Sequence, residues 1–236
     1  MLASSSCTPR LGADTVTSRL TRSLLCVGAW SAVASTLLLA MSVVWGLWLN
    51  HFTWWGWTWQ AIFFGAWFTA GMSDAFGVSR NAEGVFLLHT APFTFSILNA
   101  IGVLITVLPI MDSGIIAAQS GDTPLGEINL GNIAVHYLPI AVYVTLLTQR
   151  AKHVRDAYSR TKATFIHGMD WVPKVSVWLS GVALPLAFGG VYAAWYDFQA
   201  EYTVNAEHMI VYLAGLITLV LSTTLLWVFL LVRHIC

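Results

Sequence analysis

Apolar positions dominate this chain in six stretches, 24–49, 53–72, 84–111, 128–148, 175–196 and 208–232, separated by short polar breaks. An apolar helix of about 20 residues matches the hydrocarbon thickness of a bilayer, so each stretch reads as a transmembrane helix. The pattern predicts an all-α, polytopic bundle of six spans, 24–232, with tails at 1–23 and 233–236. Only Asn50, His51 and Phe52 separate the first two stretches, which makes those helices antiparallel neighbours. Directly after that turn, Thr53, Trp57, Gln60 and Phe64 follow one another at helical spacing and share one stripe of the second helix.

Composition agrees with the membrane class. Mean hydropathy is +0.72, 57% of residues are hydrophobic and 9% are charged, more apolar surface than one soluble core of 236 residues can hide. The run 24–49 is too long for a signal-peptide core and reads as a signal anchor. The endoplasmic reticulum or the plasma membrane is the expected location.

Charge sets the orientation. With six spans, all 11 basic residues fall on one side: Arg10, Arg19 and Arg22 before the first, Arg80 between the second and third, Arg233 after the sixth, and the rest in 150–174. The positive-inside rule makes that side cytoplasmic, with both termini inside. Asp112, Asp122, Glu127, Asp197, Glu201 and Glu207 lie on the other side. Within 150–174, Val154, Tyr158 and Phe165 recur at near-helical spacing while Lys152, Arg155, Arg160 and Lys162 face elsewhere. This predicts a basic amphipathic helix on the inner leaflet with anionic headgroups as partner, and no nucleic-acid role. Cys7, Cys26 and Cys236 all map to the cytoplasmic side or an inner helix end, which argues against a disulfide framework.

Trp45, Trp48, Trp54, Trp55, Trp57 and Trp195 crowd one end of the predicted bundle and read as an interfacial aromatic belt. In the third span Pro92 removes a backbone donor, and Thr90 or Thr94 is placed to re-satisfy the freed carbonyl. In the fifth, Pro185 and Gly189-Gly190 permit a kink or close helix approach.

The candidate chemistry is a hydroxyl and an imidazole. His136 is the most deeply placed ionisable side chain in the outer half of the predicted bundle, one turn from Asn132 on the same helix face, and intramembrane ionisable residues mark function by default. Thr53 sits near the same boundary. A neutral imidazole within reach of a Thr hydroxyl is the ordinary way to make that hydroxyl a nucleophile. The spacing Thr53-x6-Gln60-Ala-Ile-Phe-Phe, followed by Asn132-x3-His136, resembles the androgen-induced and androgen-dependent TFPI-regulating protein family. The resemblance extends through Ala91-Pro-Phe-Thr-Phe-Ser96 and the six-span layout. It implies a multispan membrane hydrolase of fatty acid esters of hydroxy fatty acids or similar amphiphilic lipid esters, with Thr53 as nucleophile, His136 as base and no cofactor or metal. Gln60, Asn132 and Trp57 are the candidates for substrate binding or oxyanion stabilisation. Two other readings stand beside it: a non-catalytic membrane subunit or scaffold, and a haem protein, for which His89 near the inner face and His136 near the outer leave only His136 with His208 as a ligand pair.

Overall fold

The computed structural model describes residues 11–44, 52–102, 130–164 and 179–195, with single positions at 175, 217 and 221; at 11–19, 44, 130–133, 161–164 and 195 it describes the backbone only. The described residues are all-helical. The helices are α1 (Leu11–Val44), α2 (Phe52–Ala75), α3 (Ala82–Gly102), α4 (Leu130–Thr164) and α5 (Leu184–Trp195), the last entered through a π-helical segment, Leu179–Ala183. Among the described residues, two stretches, Leu20–Val43 within α1 and Ala82–Gly102, are long and apolar enough to cross a membrane. Apart from Ile217 and Leu221, the expected sixth span, 208–232, lies outside the described residues, as do the outer loop 112–127, Cys7, Cys236, Trp45 and Trp48.

Contacts between helices fix their order and direction. On α1 and α2, Leu24 meets Gly71, Gly28 meets Phe68 and Trp30 bonds Gln60, so one numbering rises as the other falls. The same antiparallel relation joins α2 to α3 through Gly56–Ile101, Trp59–Thr94 and Trp67–Glu83. It joins α3 to α4 through Gly102–Ile140, Ala91–Tyr143 and Gly84–His153. Arg150 on α4 closes the ring by donating to the Leu20 carbonyl of α1 at 2.7 Å. The result is an up-down-up-down four-helix bundle in which α2 and α4 are diagonal and parallel. Between the helices lies an apolar core of Val27, Phe63, Phe64, Leu87, Leu88, Leu146 and Tyr143. The π-helical segment and α5 pack outside this ring on α3.

Local chemistry explains the joints. After α2 the chain reverses through Gly77 and Asn81, both at positive φ (69° and 68°). The Asp74 carboxylate then caps α3, accepting from the Ala82 and Glu83 N–H groups at 2.7 and 3.0 Å, two donors that no helical carbonyl can reach. Gly84 follows because α4 passes so close that an added Cβ would sit 2.3 Å from the His153 carbonyl oxygen. Pro185 cannot donate the helical bond to Gly181, and Ser96 Oγ on α3 donates to that carbonyl instead, at 3.2 Å. The freed acceptor of a proline is thus satisfied by a neighbouring helix, which anchors α5.

Several sequence expectations need correction. Helix α1 begins at Leu11, ahead of the apolar run 24–49, because an apolar run marks where a span begins and not where a helix does, and the reading of 1–23 as a tail outside the span is untouched by this. The segment 150–164 is no separate surface helix but the continuation of α4. Val154, Ala157 and Tyr158 are buried in the bundle's own core, so that apolar stripe faces protein and not a leaflet. Lys162 and Phe165 lie outside the described side chains. Arg150, expected among the loop cations, is buried in an ion pair. Of the expected belt, Trp57 is buried against Trp30, and Trp55 packs on Phe188 and Tyr192. Thr90 and Thr94 hydrogen-bond the carbonyls four residues behind them, Phe86 and Thr90, and not the Leu88 carbonyl that Pro92 releases.

Candidate functional site

Thr53 is the second residue of α2 and His136 stands in the second turn of α4. Two pieces of packing bring these residues to one level. Phe52, against Phe188 and Tyr192 of α5 at ring separations of 5.7 and 5.1 Å, pins the start of α2. Gly102 at the end of α3 lets α4 approach: a Cβ there would lie 2.9 Å from Ile140 Cδ1 and 3.6 Å from the His136 carbonyl oxygen. Across the diagonal of the bundle, Thr53 Oγ1 lies 3.1 Å from His136 Nε2. Thr53 is buried, 6% exposed, and His136 is half-buried, so the pair is shielded but reachable.

That distance suits proton transfer. If the imidazole proton resides on Nδ1, Nε2 accepts from the Thr53 hydroxyl, the relation a general base needs. The position of Thr53 adds a second element. The first N–H groups of an α-helix have no intrahelical acceptor, and the positive end of the helix dipole favours negative charge there.

The other predicted site residues divide. Trp57 and Gln60 share the Thr53 stripe, about 6 Å and 10.5 Å further along the α2 axis. Both are buried, at 4% and 0% exposure, and both converge on Trp30 of α1. The Trp30 and Trp57 rings lie 5.8 Å apart, and Trp30 Nε1 donates to Gln60 Oε1 at 3.2 Å. Among the described residues, Trp57 Nε1 and Gln60 Nε2 have no hydrogen-bond partner. Asn132 lies on α4 one turn before His136, and its side chain is outside the description.

A second polar layer was not anticipated. Glu83 accepts from Trp67 Nε1 at 2.7 Å and pairs with Arg150 Nε at 2.9 Å, while Arg150 reaches the Leu20 carbonyl. Trp67 is 67 − 53 = 14 residues beyond Thr53, and Arg150 is 150 − 136 = 14 beyond His136. Fourteen residues is close to four turns, about 21 Å, so the two layers sit on the same inner faces at opposite ends of the bundle. Nothing local in the sequence announces the lower layer, since Glu83 and Arg150 are ordinary helix-end charges until the fold pairs them.

Two further features lie away from the pair. A groove of about 400 Å³ between α1 and α2, lined by Gly28, Ser31, Ala32, Gly65 and Phe68, contains no titratable side chain. Gly65 is 65 − 53 = 12 residues, about 18 Å, along α2 from Thr53. His89 stands 102 − 89 = 13 residues, about 20 Å, along α3 from Gly102, which packs beside His136. These two histidines therefore cannot ligate one haem, and His208 lies outside the described residues. Compared with known protein families, with characterised proteins and with solved structures, the chain matches none.

Proposed function

We propose that this protein is a multispan membrane hydrolase of amphiphilic lipid esters, with Thr53 as nucleophile and His136 as its base. The observation that carries the reading is the 3.1 Å contact between Thr53 Oγ1 and His136 Nε2, made by side chains 83 residues apart in sequence. The resemblance of the Thr53–Gln60 and Asn132–His136 spacing to the androgen-induced family supports the same assignment, as does the start of a helix at the nucleophile.

In the reaction, His136 Nε2 takes the hydroxyl proton as Thr53 Oγ1 bonds to the ester carbonyl carbon. Negative charge collects on the carbonyl oxygen, which the positive end of the α2 dipole favours. When the adduct collapses, the bond to the alcohol oxygen breaks and the departing alcohol takes the proton from His136. Water then attacks the acyl-threonine, gives its proton to His136 and frees the fatty acid, and Thr53 recovers its hydrogen. Gln60, about 10.5 Å along the helix from Thr53, is too distant to stand first among the oxyanion donors.

The membrane topology belongs to the proposal. Besides the two helices that pass on length and apolarity, α2 has 24 residues and α4 has 35, enough to span a hydrocarbon core of about 30 Å. Placing the Glu83–Arg150 layer on the basic, cytoplasmic side puts Thr53 and His136 toward the outer leaflet, about 21 Å away, where a lipid ester enters sideways. Exposed Lys152 and Arg160, beyond the buried layer, face anionic headgroups on the inner side.

Labelling by a fluorophosphonate probe tests the assignment. Wild type reacts and Thr53→Ala does not, and His136→Ala loses both labelling and ester turnover at retained expression. Undiminished labelling of Thr53→Ala overturns it.

A further inference from the structure

Trp57 Nε1 and Gln60 Nε2 are fully formed hydrogen-bond donors, buried on the stripe that carries Thr53, and neither has a partner among the described residues. Leaving a buried donor unpaired costs enough that most such groups in folded proteins bind something. The surrounding contacts hold both in place: Trp57 stands against the Trp30 ring and Gln60 is fixed through its Oε1 by the Trp30 indole N–H. With that carbonyl engaged, the Gln60 amide presents only N–H groups. The pair is donor-only, and it lies one to two helical turns, about 6 to 10.5 Å, from Thr53 toward the bundle centre.

Building on the hydrolase reading, we infer that Trp57 and Gln60 form an acceptor-binding floor beneath the catalytic pair, which selects acyl chains bearing an oxygen several carbons from the scissile carbonyl. The group that fits is a neutral acceptor, a keto, ether or ester oxygen. A carboxylate does not fit, because the nearest buried cation on the bundle axis, Arg150, is at the far layer and already paired with Glu83. An unsubstituted chain leaves both donors bare, whereas an oxygenated one satisfies them, and the difference appears as affinity. Phe64, next on the stripe and fully buried, closes the floor from below.

The test measures binding and not turnover, so it survives failure of the catalytic assignment. The full-length Thr53→Ala chain in detergent is titrated with the methyl ester of a mid-chain keto fatty acid and, separately, of its saturated parent, each displacing a fluorescent acyl ester. The keto ester is expected to bind about tenfold more tightly, the scale of one or two hydrogen bonds to otherwise unpaired donors. Adding Trp57→Phe, which keeps the ring against Trp30 and deletes only the N–H, reduces that preference, and Gln60→Leu reduces it independently. Equal affinity for the two esters, or a preference that survives both substitutions, overturns the inference, the donors then holding trapped water only.

Discussion

Glu83 on α3 and Arg150 on α4 lie 2.9 Å apart with side chains 5% and 3% exposed, and between them they touch all four helices of the bundle. The carboxylate also accepts from Trp67 of α2, and the guanidinium also donates to Leu20 of α1. A buried ion pair of this kind is not automatically stabilising against an apolar alternative, but breaking it from one side leaves an unpaired charge in the core. Glu83→Gln or Arg150→Met alone is therefore expected to cost about 3–5 kcal/mol of stability. The double substitution costs less than the sum of the two. Unfolding in detergent, read as a double-mutant cycle, checks this, and two small, additive losses would contradict it.

The Ser96–Gly181 bond makes a prediction of a different form. Ser96→Ala removes the interhelical donor to the Gly181 carbonyl in a fully buried place, an expected loss of about 1–3 kcal/mol. Restoring an N–H at position 185 returns the helical donor. Pro185→Ala in the Ser96→Ala background should therefore recover part of the loss, although Pro185→Ala alone gains little. Thermal unfolding of the four proteins is the measurement, and failure of the second substitution to rescue the first would show that Gly181 does not depend on Ser96.

Comparing these contacts with the sequence separates what is local from what is not. The helix starts near Phe52 and Ala82 and the Thr53 stripe were legible because apolar runs and helical periodicity are written in consecutive residues. The meeting of Thr53 with His136 was legible only in part, since counting residues puts His136 about 10 Å inside the boundary at which Thr53 sits, and tilt or an earlier start of α2 is needed to bring them level. The tie from Ser96 to Gly181 and the pairing of Glu83 with Arg150 were not, because each joins residues whose partner is chosen by the order of helices around the ring. Trp57 was misplaced for a related reason. A tryptophan near a helix end looks the same in sequence whether it meets headgroups or Trp30.

Close approach of helices gives a graded prediction. At Gly84 an added Cβ meets a backbone oxygen, His153, at 2.3 Å, while at Gly56 it meets the tip of a flexible side chain, Ile101 Cδ1, at 1.8 Å. The shorter distance is the cheaper one to relieve, since Ile101 can change rotamer or be shortened whereas α4 must move bodily. Gly84→Ala is expected to cost about 1–3 kcal/mol, and Gly56→Ala in an Ile101→Val background well under half of that. Denaturation midpoints of both proteins decide it, and equal losses would mean that α4 yields as easily as a side chain.

Thr53 itself carries the sharpest chemical prediction. A threonine differs from serine by a methyl group that fixes χ1, and from valine by having a hydroxyl where valine has a second methyl. If the hydroxyl oxygen is the nucleophile, Thr53→Ser keeps it on a freer side chain, and ester hydrolysis falls by less than about tenfold, the entropy of one rotor being small beside the loss of a covalent step. Thr53→Val keeps the shape and burial and removes the oxygen, so kcat falls to the level of Thr53→Ala while stability changes by less than either. His136→Gln removes the base and retains a polar side chain; its residual rate should stop responding to the Ser or Thr identity at 53, because the two residues act as one unit. Hydrolysis of one lipid ester by the wild type and these variants, at matched expression, measures all of this. A Thr53→Val protein that turns over normally would assign the 3.1 Å contact to helix packing.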